Sequence, residues 1–338
     1  MPIRHDNAGM ELKQIASFVQ VAELGSFTRA ATVLRIAQPA LSRQVRALEV
    51  ELRQPLFDRN GRGVTLTEAG KRLLAHGRGI LQQVERARQD LEGQRGEVSG
   101  LLSVGLPPSL SRTLTAPLVE VFRARFPHAT LTVVEGLSTY LLEWLAQGRV
   151  DCAVVYNATP AAAVALQPVL EEALYLVSAR GARRGRALLG PAVTLAEVAA
   201  HDLVIPSRPH AIRMRLESVL AEAGLKPRVS LEIESVPAIL DLVQRHALHA
   251  VLSLNAVRAS GAEQNYSARP VSLDGKRQPL TTTLWIAAST QRPGGRLLEQ
   301  AVVMLRELLV ARLAKDGSVA RAAARTAQGA SLRSAARA

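Results

Sequence analysis

The stretch that most constrains this chain is Ala37 to Leu52, reading AQPALSRQVRALEVEL. Leu41, Val45, Leu48 and Leu52 recur at steps of four, three and four, which makes one apolar stripe along a helix. Gln38, Ser42 and Arg46 recur at steps of four on the opposite side, with Pro39 and Arg43 beside them. One face can therefore pack on a core while the other presents amides, a hydroxyl and guanidinium groups. Such groups hydrogen-bond base edges in a DNA major groove, and Arg and Gln can do so bidentately. Taken alone, an ordinary amphipathic helix with a solvated polar face explains the pattern equally well. The flanking segments decide between the two.

Upstream, Leu12, Ile15, Val19 and Ala22 give a first helical stripe, Gly25 can end it, and Ser26 is placed to cap the next helix. Phe27, Ala30, Ala31 and Leu34 make that second helix short and closely packed, and Arg35–Ile36 turn the chain into Ala37. Helix, short helix, tight turn and polar-faced helix match a helix-turn-helix with the third helix as reader. Downstream, Leu56 to Thr67 reads as two short extended pieces around a glycine-containing turn, a wing with Arg59 and Arg62 near its tip. Gly61-Arg62-Gly63 is too short to cradle a phosphate as a nucleotide loop. Between Gly25 and Arg72, nine Lys or Arg face four acids, so the basic excess lies where DNA would be. The whole chain carries a net charge of +13 over 338 residues, which favours anionic partners without proving them.

Other classes are disfavoured. Cys152, the only cysteine, rules out an intrachain disulfide, and its apolar setting Val150 to Val155 argues for a buried inert thiol. No stretch has the length of a membrane span, and MPIRHDNAGM lacks the apolar core of a secretory signal, so a cytoplasmic protein is expected.

Thr67 begins a long helix whose Ala69, Leu73, Gly77, Ile80, Val84, Ala87 and Leu91 form a seam with nearly coiled-coil spacing. Such a seam packs on its own chain or on a second copy. Pairing of copies is the preferred expectation, because helix-turn-helix proteins commonly bind paired half-sites. Gly77 and Gly79 each weaken the helix by about 1 kcal/mol relative to alanine.

These segments resemble the LysR-type transcriptional regulators from Met10 to about Leu313. The match is carried by Phe18-Val19, Gly25 to Ala31 (GSFTRAA), Gln38 to Gln44 (QPALSRQ), Leu48-Glu49, Leu56-Phe57 and Leu66 to Gly70 (LTEAG). The resemblance implies a winged helix-turn-helix at 10–67, a linker and dimerisation helix at 68–97 and a two-lobed effector domain at 98–313. Residues 314–338, rich in Ala and Arg, read as a basic disordered tail. It also implies DNA contacts at Ser26, Thr28, Gln38, Pro39, Ser42, Arg43, Arg46, Arg59 and Arg62. Expected partners are double-stranded DNA, further copies in a homodimer or homotetramer, RNA polymerase and a small-molecule effector, with no membrane. Two departures stand out: Ala37 where the family often has a serine cap, and Arg53 where a glycine commonly ends the reading helix.

Beyond the linker signal Gly93 to Gly100, strand and helix patterns alternate, an α/β pattern read as parallel sheet with crossover helices. The resemblance makes this two Rossmann-like lobes of periplasmic-binding-protein type, with crossings expected near Pro168–Glu171 and Asp274–Pro279. Leu106 to Ser109 and Glu143 to Leu145 look most like the nitrogen-assimilation-control branch, whereas His246 and Ser253 stand where relatives often have Gly and Pro. Ser109, Ser138, Thr139 and Ser207 fall at strand-to-helix junctions, where free N–H groups favour anions. They are the expected effector contacts, with Arg208 as an optional cation and a small carboxylate or oxyanion as the ligand. For any single serine a plain N-cap is the preferred reading, and only their shared placement at strand ends supports a ligand site. His246 and His249 lack further ligands at metal spacing, so no metal or other cofactor is expected. A solute-binding module is opposed by the basic N-terminal third. An enzyme is opposed by the lack of a Gly-x-Ser-x-Gly elbow, metal cluster or dinucleotide fingerprint, and no catalytic residue is assigned.

Overall fold

The computed structural model describes residues 9–60, 63–92, 98–160, 164–181, 188–273, 278–290 and 295–313. The expectations for the leader, for Arg62 at the wing tip and for the basic tail lie outside these residues. Internal contacts divide the chain into one unit of residues 1–97 with 147–149 and a second formed by the rest.

In the first unit, α1 (Leu12–Leu24), α2 (Phe27–Leu34) and α3 (Gln38–Leu52) enclose a core with Phe18, Ala30, Leu41, Val45 and Leu48 fully buried. Gly25 ends α1 in the left-handed conformation at φ 59°, and the Ser26 hydroxyl accepts from the Arg29 N–H at 3.3 Å to start α2. α3 does start without a side-chain cap, and Arg53 itself takes the left-handed conformation at φ 51° that a glycine would adopt more easily. The wing is β1 (Phe57–Asn60) paired antiparallel with β2 (Gly63–Leu66). Phe57 ties it to the helices through Phe18 and Phe27, with ring centroids 5.2 and 5.7 Å apart. Glu49 accepts from the Leu56 and Phe57 N–H groups, which fixes the wing to the end of α3.

Thr67 then caps α4 (Glu68–Glu92): its hydroxyl accepts from Gly70 N–H and donates to the Pro55 carbonyl. A Cβ on Gly70 would lie 2.1 Å from the Leu56 carbonyl oxygen, so the glycine of the LTEAG motif is a steric requirement. The α4 seam is divided in use. Ala69, Leu73 and Ile80 pack on the helix-turn-helix core, and Gly77 lies against Ile15 and Val19. Packing on the same chain, the alternative to pairing, therefore holds for the Ala69–Ile80 part of the seam, and Val84 lies outside that core.

The second unit has two lobes sharing strands. The first lobe's sheet runs β4 (His128–Glu135), β3 (Ser99–Leu106), β5 (Cys152–Tyr156), β12 (Thr281–Ser289) and β6 (Val164–Ala179). α5 (Pro108–Arg125) and α11 (Arg296–Leu313) cover one face, and α6 (Ser138–Gln147) covers the other. β5 is buried along its length because Cys152, Val154 and Tyr156 face α5 and α11 while Ala153 and Val155 face α6. Burial pushes the Cys152 thiol far up from its ordinary pKa.

In the second lobe, β10 (Ala250–Ser253) and β11 (Tyr266–Ser272) flank the later half of β6. β7 (Val193–Thr194) lies beside β11, and β8 (Asp202–Ile205) pairs with β9 (Arg228–Glu232). α7 (Leu195–Ala200) and α8 (Ala211–Glu222) cover one face, with α9 (Val236–His246) and α10 (Leu254–Ala259) on the other. The sheets are mixed: β12 and β10 run antiparallel to β6, which corrects the all-parallel expectation. Pro168 sits at a register shift, where Leu284 pairs with Leu170 and Trp285 with Pro168, but the strand continues. β6 is one 16-residue strand that passes between lobes around Ala173, and the return is at Leu280, whose carbonyl accepts from Leu174 N–H at 2.8 Å. Residues 274–277 lie outside the described residues.

Candidate functional site: a nucleic-acid face and an inter-lobe cavity

α3 separates its two faces cleanly. Leu41, Val45 and Leu48 have no exposed surface, whereas Gln38, Pro39, Arg43 and Arg46 are exposed and Ser42 is half-buried. Gln44, between the faces, accepts from the Ser17 hydroxyl and locks α3 to α1. Arg43 and Arg46 make no ion pair among the described residues, so both guanidinium groups are available to an outside anion. Thr28 is exposed on α2, beside the cap made by Ser26. The β1 backbone places Arg59 opposite Val64, one pair short of the wing tip.

In the second unit a cavity of about 270 Å³ opens between the lobes. The first lobe contributes Glu135, Gly136, Tyr140 and Trp144, and the second contributes His210 and Glu234. The Trp144 ring lies on Gly136, where a Cβ would come within 2.7 Å of it, so the absent side chain makes room for the indole. His210 is 8% exposed and caps α8, accepting the Ile212 N–H at Nδ1 at 3.3 Å. Burial lowers its pKa to about 4, so it is a neutral imidazole at pH 7 with its proton on Nε2.

The four residues expected to bind an effector do not gather on this cavity. Ser109 lines a separate small pocket beside Arg112 and Leu240, and its hydroxyl donates to the Tyr156 hydroxyl at 3.4 Å. The Ser138 hydroxyl accepts the Tyr156 backbone N–H at 3.0 Å, and Thr139 is exposed. Ser207 is no cap: its carbonyl accepts the N–H of His210, the residue that caps α8. Arg208 pairs with Glu217 at 2.8 Å. Ser235, the residue before α9, does cap its helix, accepting from Ala238 N–H. His249 stacks on His201, with centroids 3.9 Å apart, and not on His246.

Sequence reasoning missed a polar network at the lobe junction. Tyr156 donates its hydroxyl to Glu172, a carboxylate with no exposed surface, at 3.0 Å. Asn255 on α10 donates from Nδ2 to the Ser109 carbonyl of the other lobe at 3.1 Å. The only sequence signal was a pair of acids, Glu171-Glu172, inside an apolar run.

Comparisons with known proteins agree with this architecture. Residues 12–71 match the bacterial regulatory helix-turn-helix protein family of lysR type, and residues 95–310 match the LysR substrate binding domain. The chain is 37% identical over 262 residues to the nitrogen assimilation regulatory protein nac of Klebsiella aerogenes, covering 77% of this chain and 84% of that protein. Its counterpart in Escherichia coli K12 is 36% identical over the same length and the same shares. Full-length CbnR solved with its target DNA superposes with a TM-score of 0.65 at 23% identity, over 88% of this chain and 99% of that one. A full-length OxyR variant from Pseudomonas aeruginosa gives 0.67 at 22%, over 89% and 95%. These two establish likeness of fold. The family models and the relatives above 30% identity establish descent: the chain belongs to the LysR family and is a DNA-binding transcriptional regulator, not an enzyme.

Proposed function

We propose that this regulator reads its operator through the exposed face of α3, with Gln38, Pro39, Ser42 and Arg43 in the major groove. Arg46, Ser26, Thr28 and Arg59 hold backbone phosphates, and Arg62 enters the flanking minor groove. The observation that carries this is the complete burial of Leu41, Val45 and Leu48 on the helix whose other face exposes unpaired arginines. Residues 10–67 act as the DNA-binding domain, 68–97 as the linker, 98–313 as the effector domain and 314–338 as a basic tail. The protein works in the cytoplasm as a homodimer or homotetramer at promoters, where RNA polymerase is its further partner. CbnR was solved on its target DNA, which supports the same use of this fold here. A small molecule in the inter-lobe cavity controls it. A shift assay against the chain's own upstream region and random duplex tests the reading. A large ratio of the two affinities is expected, and equal affinity would reduce the surface to a non-specific basic patch.

Pairing of copies rests on the later part of α4. Val84 lies beyond the stretch that packs on the helix-turn-helix core. A charge placed there would be unpaired in an apolar contact, which is costly. Val84→Glu should sediment as a folded monomer, with unchanged helix content by circular dichroism. A folded dimer indistinguishable from the parent would remove α4 from the interface.

A further inference from the structure

His210 lines the inter-lobe cavity and is only 8% exposed. Its Nδ1 accepts the Ile212 N–H, so the ring proton sits on Nε2. That Nε2–H has no protein acceptor among the described residues. Burial keeps the imidazole neutral at pH 7, so it offers a hydrogen bond without a charge. A buried N–H without a partner is costly, and an acceptor that enters the cavity recovers that loss. The group that completes His210 therefore carries a lone pair, which an ammonium ion lacks.

The lining favours neither sign of charge. Glu135 at the end of β4 and Glu234 before α9 are exposed carboxylates on the cavity. Four helices start at the same place: α5 at Pro108, α6 after Leu137, α8 after His210 and α9 at Val236. Each helix start carries about half a positive charge. The start of α5 has no side-chain cap, and the Ser138 hydroxyl at the start of α6 is taken by the Tyr156 N–H. These partial charges offset the two carboxylates, and no Lys or Arg is among the lining residues. A carboxylate ligand would satisfy His210 but meet two acids with no full cation beside them. An ammonium ligand would satisfy the acids and leave Nε2–H unmet. An uncharged group with both an acceptor and N–H donors serves both.

Two rings set the shape. Tyr140 and Trp144 line the first-lobe side, and the Trp144 indole is seated on Gly136. A planar ligand packs on such rings in offset or edge contact.

We propose that the inter-lobe cavity takes a small uncharged planar amide, its carbonyl oxygen accepting from His210 Nε2–H and its plane against the rings of Tyr140 and Trp144. Its N–H groups face Glu135 and Glu234. This rests on the reading of the cavity as the effector site and replaces the anionic ligand that the junction serines suggested.

The test is calorimetric titration of the full-length protein at pH 7 and constant ionic strength with three probes of one shape. Benzamide is neutral, benzoate anionic and benzamidine cationic. Saturable binding of benzamide is expected, with the two charged probes at least tenfold weaker. His210→Asn keeps a side-chain cap for α8 and removes the Nε2–H, and should weaken benzamide about fivefold, as loss of one neutral hydrogen bond does. Tyr140→Leu, at an exposed position, should weaken it about threefold. Benzoate or benzamidine binding more tightly than benzamide would overturn the ligand class while leaving an effector site. Benzamide binding that both variants retain would overturn the location. Binding of none of the three by protein that still binds operator would overturn the proposal. Operator affinity measured with and without saturating benzamide separates the underlying reading: bound benzamide that leaves operator affinity unchanged would remove the effector role and leave the ligand class standing.

Discussion

The α3 face and the inter-lobe cavity are both polar surfaces on apolar frames, and they are assembled in opposite ways. The α3 face comes from fifteen consecutive residues on one helix, so its members are fixed relative to one another by helix geometry alone. The cavity draws on the end of β4, on α6 and on the starts of α5, α8 and α9, from Pro108 to Val236 and from both lobes. The first is basic and convex, suited to a partner of fixed shape. The second is acidic and aromatic, and its shape depends on how the lobes stand. A surface carried by one element survives anything that spares the element, whereas a surface shared between lobes can be altered by a small movement of either.

The largest effect that sharpens this contrast is a cavity under α3. Leu48→Ala removes a fully buried side chain from the helix-turn-helix core and should destabilise that unit by about 2–5 kcal/mol. Operator binding should fall with it, while any ligand binding in the second unit persists. Two separate thermal transitions, with only one of them moved, would be the expected calorimetric record.

Acid should act on the other region. His210 has its folded pKa lowered to about 4 by burial, against an ordinary 6.5. Above pH 6.5 the imidazole is neutral in both states and the full stability is present. As pH falls below that, the unfolded chain gains a proton that the folded chain refuses, so stability drops by about 2 kcal/mol between pH 7 and 5. His210→Asn keeps a capping side chain and removes the titration, so its transition should be flatter over this range. An identical slope in the variant would assign the acid sensitivity to other groups.

On the nucleic-acid face, Arg43→Ala should leave stability untouched, because its side chain is exposed and packs on nothing in the core. Operator affinity should fall by about 1–3 kcal/mol and specificity relax at one base pair. Equal loss on operator and random duplex would reassign Arg43 to phosphate binding.

What was legible in the sequence follows the same division. α1 to α4 and the wing follow from periodicity, caps and turns, because every signal there is local. The strands of the second unit were legible as apolar runs, but their directions were not. A run such as Cys152 to Tyr156 reads the same whether its neighbours are parallel or antiparallel. The length of β6 is hidden in the sequence because Pro168, Glu171 and Glu172 interrupt its apolar pattern, yet Glu172 is buried by pairing with Tyr156. The junction serines do not line the inter-lobe cavity. A hydroxyl at a junction signals a cap or a ligand contact only when nothing nearer takes it. For Ser109 and Ser138 the taker is Tyr156, which is distant in sequence. The acids and aromatics that do line the cavity looked like ordinary surface residues, since no local pattern joins Glu135 to Glu234.

The smallest predicted effect concerns the one residue where fold and DNA contact share an atom. The Ser26 hydroxyl accepts the Arg29 N–H that starts α2, and Ser26 is also proposed to meet phosphate. Ser26→Ala should cost about 1 kcal/mol of stability, and by itself cannot separate the two roles. Ser26→Asp does separate them. A carboxylate caps a helix as well as a hydroxyl and complements the helix dipole, so stability should be kept or slightly raised. The same carboxylate would face the phosphate backbone and repel it. Operator affinity should therefore fall in the Asp variant although its melting temperature does not, with random duplex losing affinity in step because a phosphate contact carries no sequence information. If Ser26→Asp binds operator as the parent does, Ser26 is a cap alone. The nucleic-acid face then begins at Thr28 and the exposed side of α3.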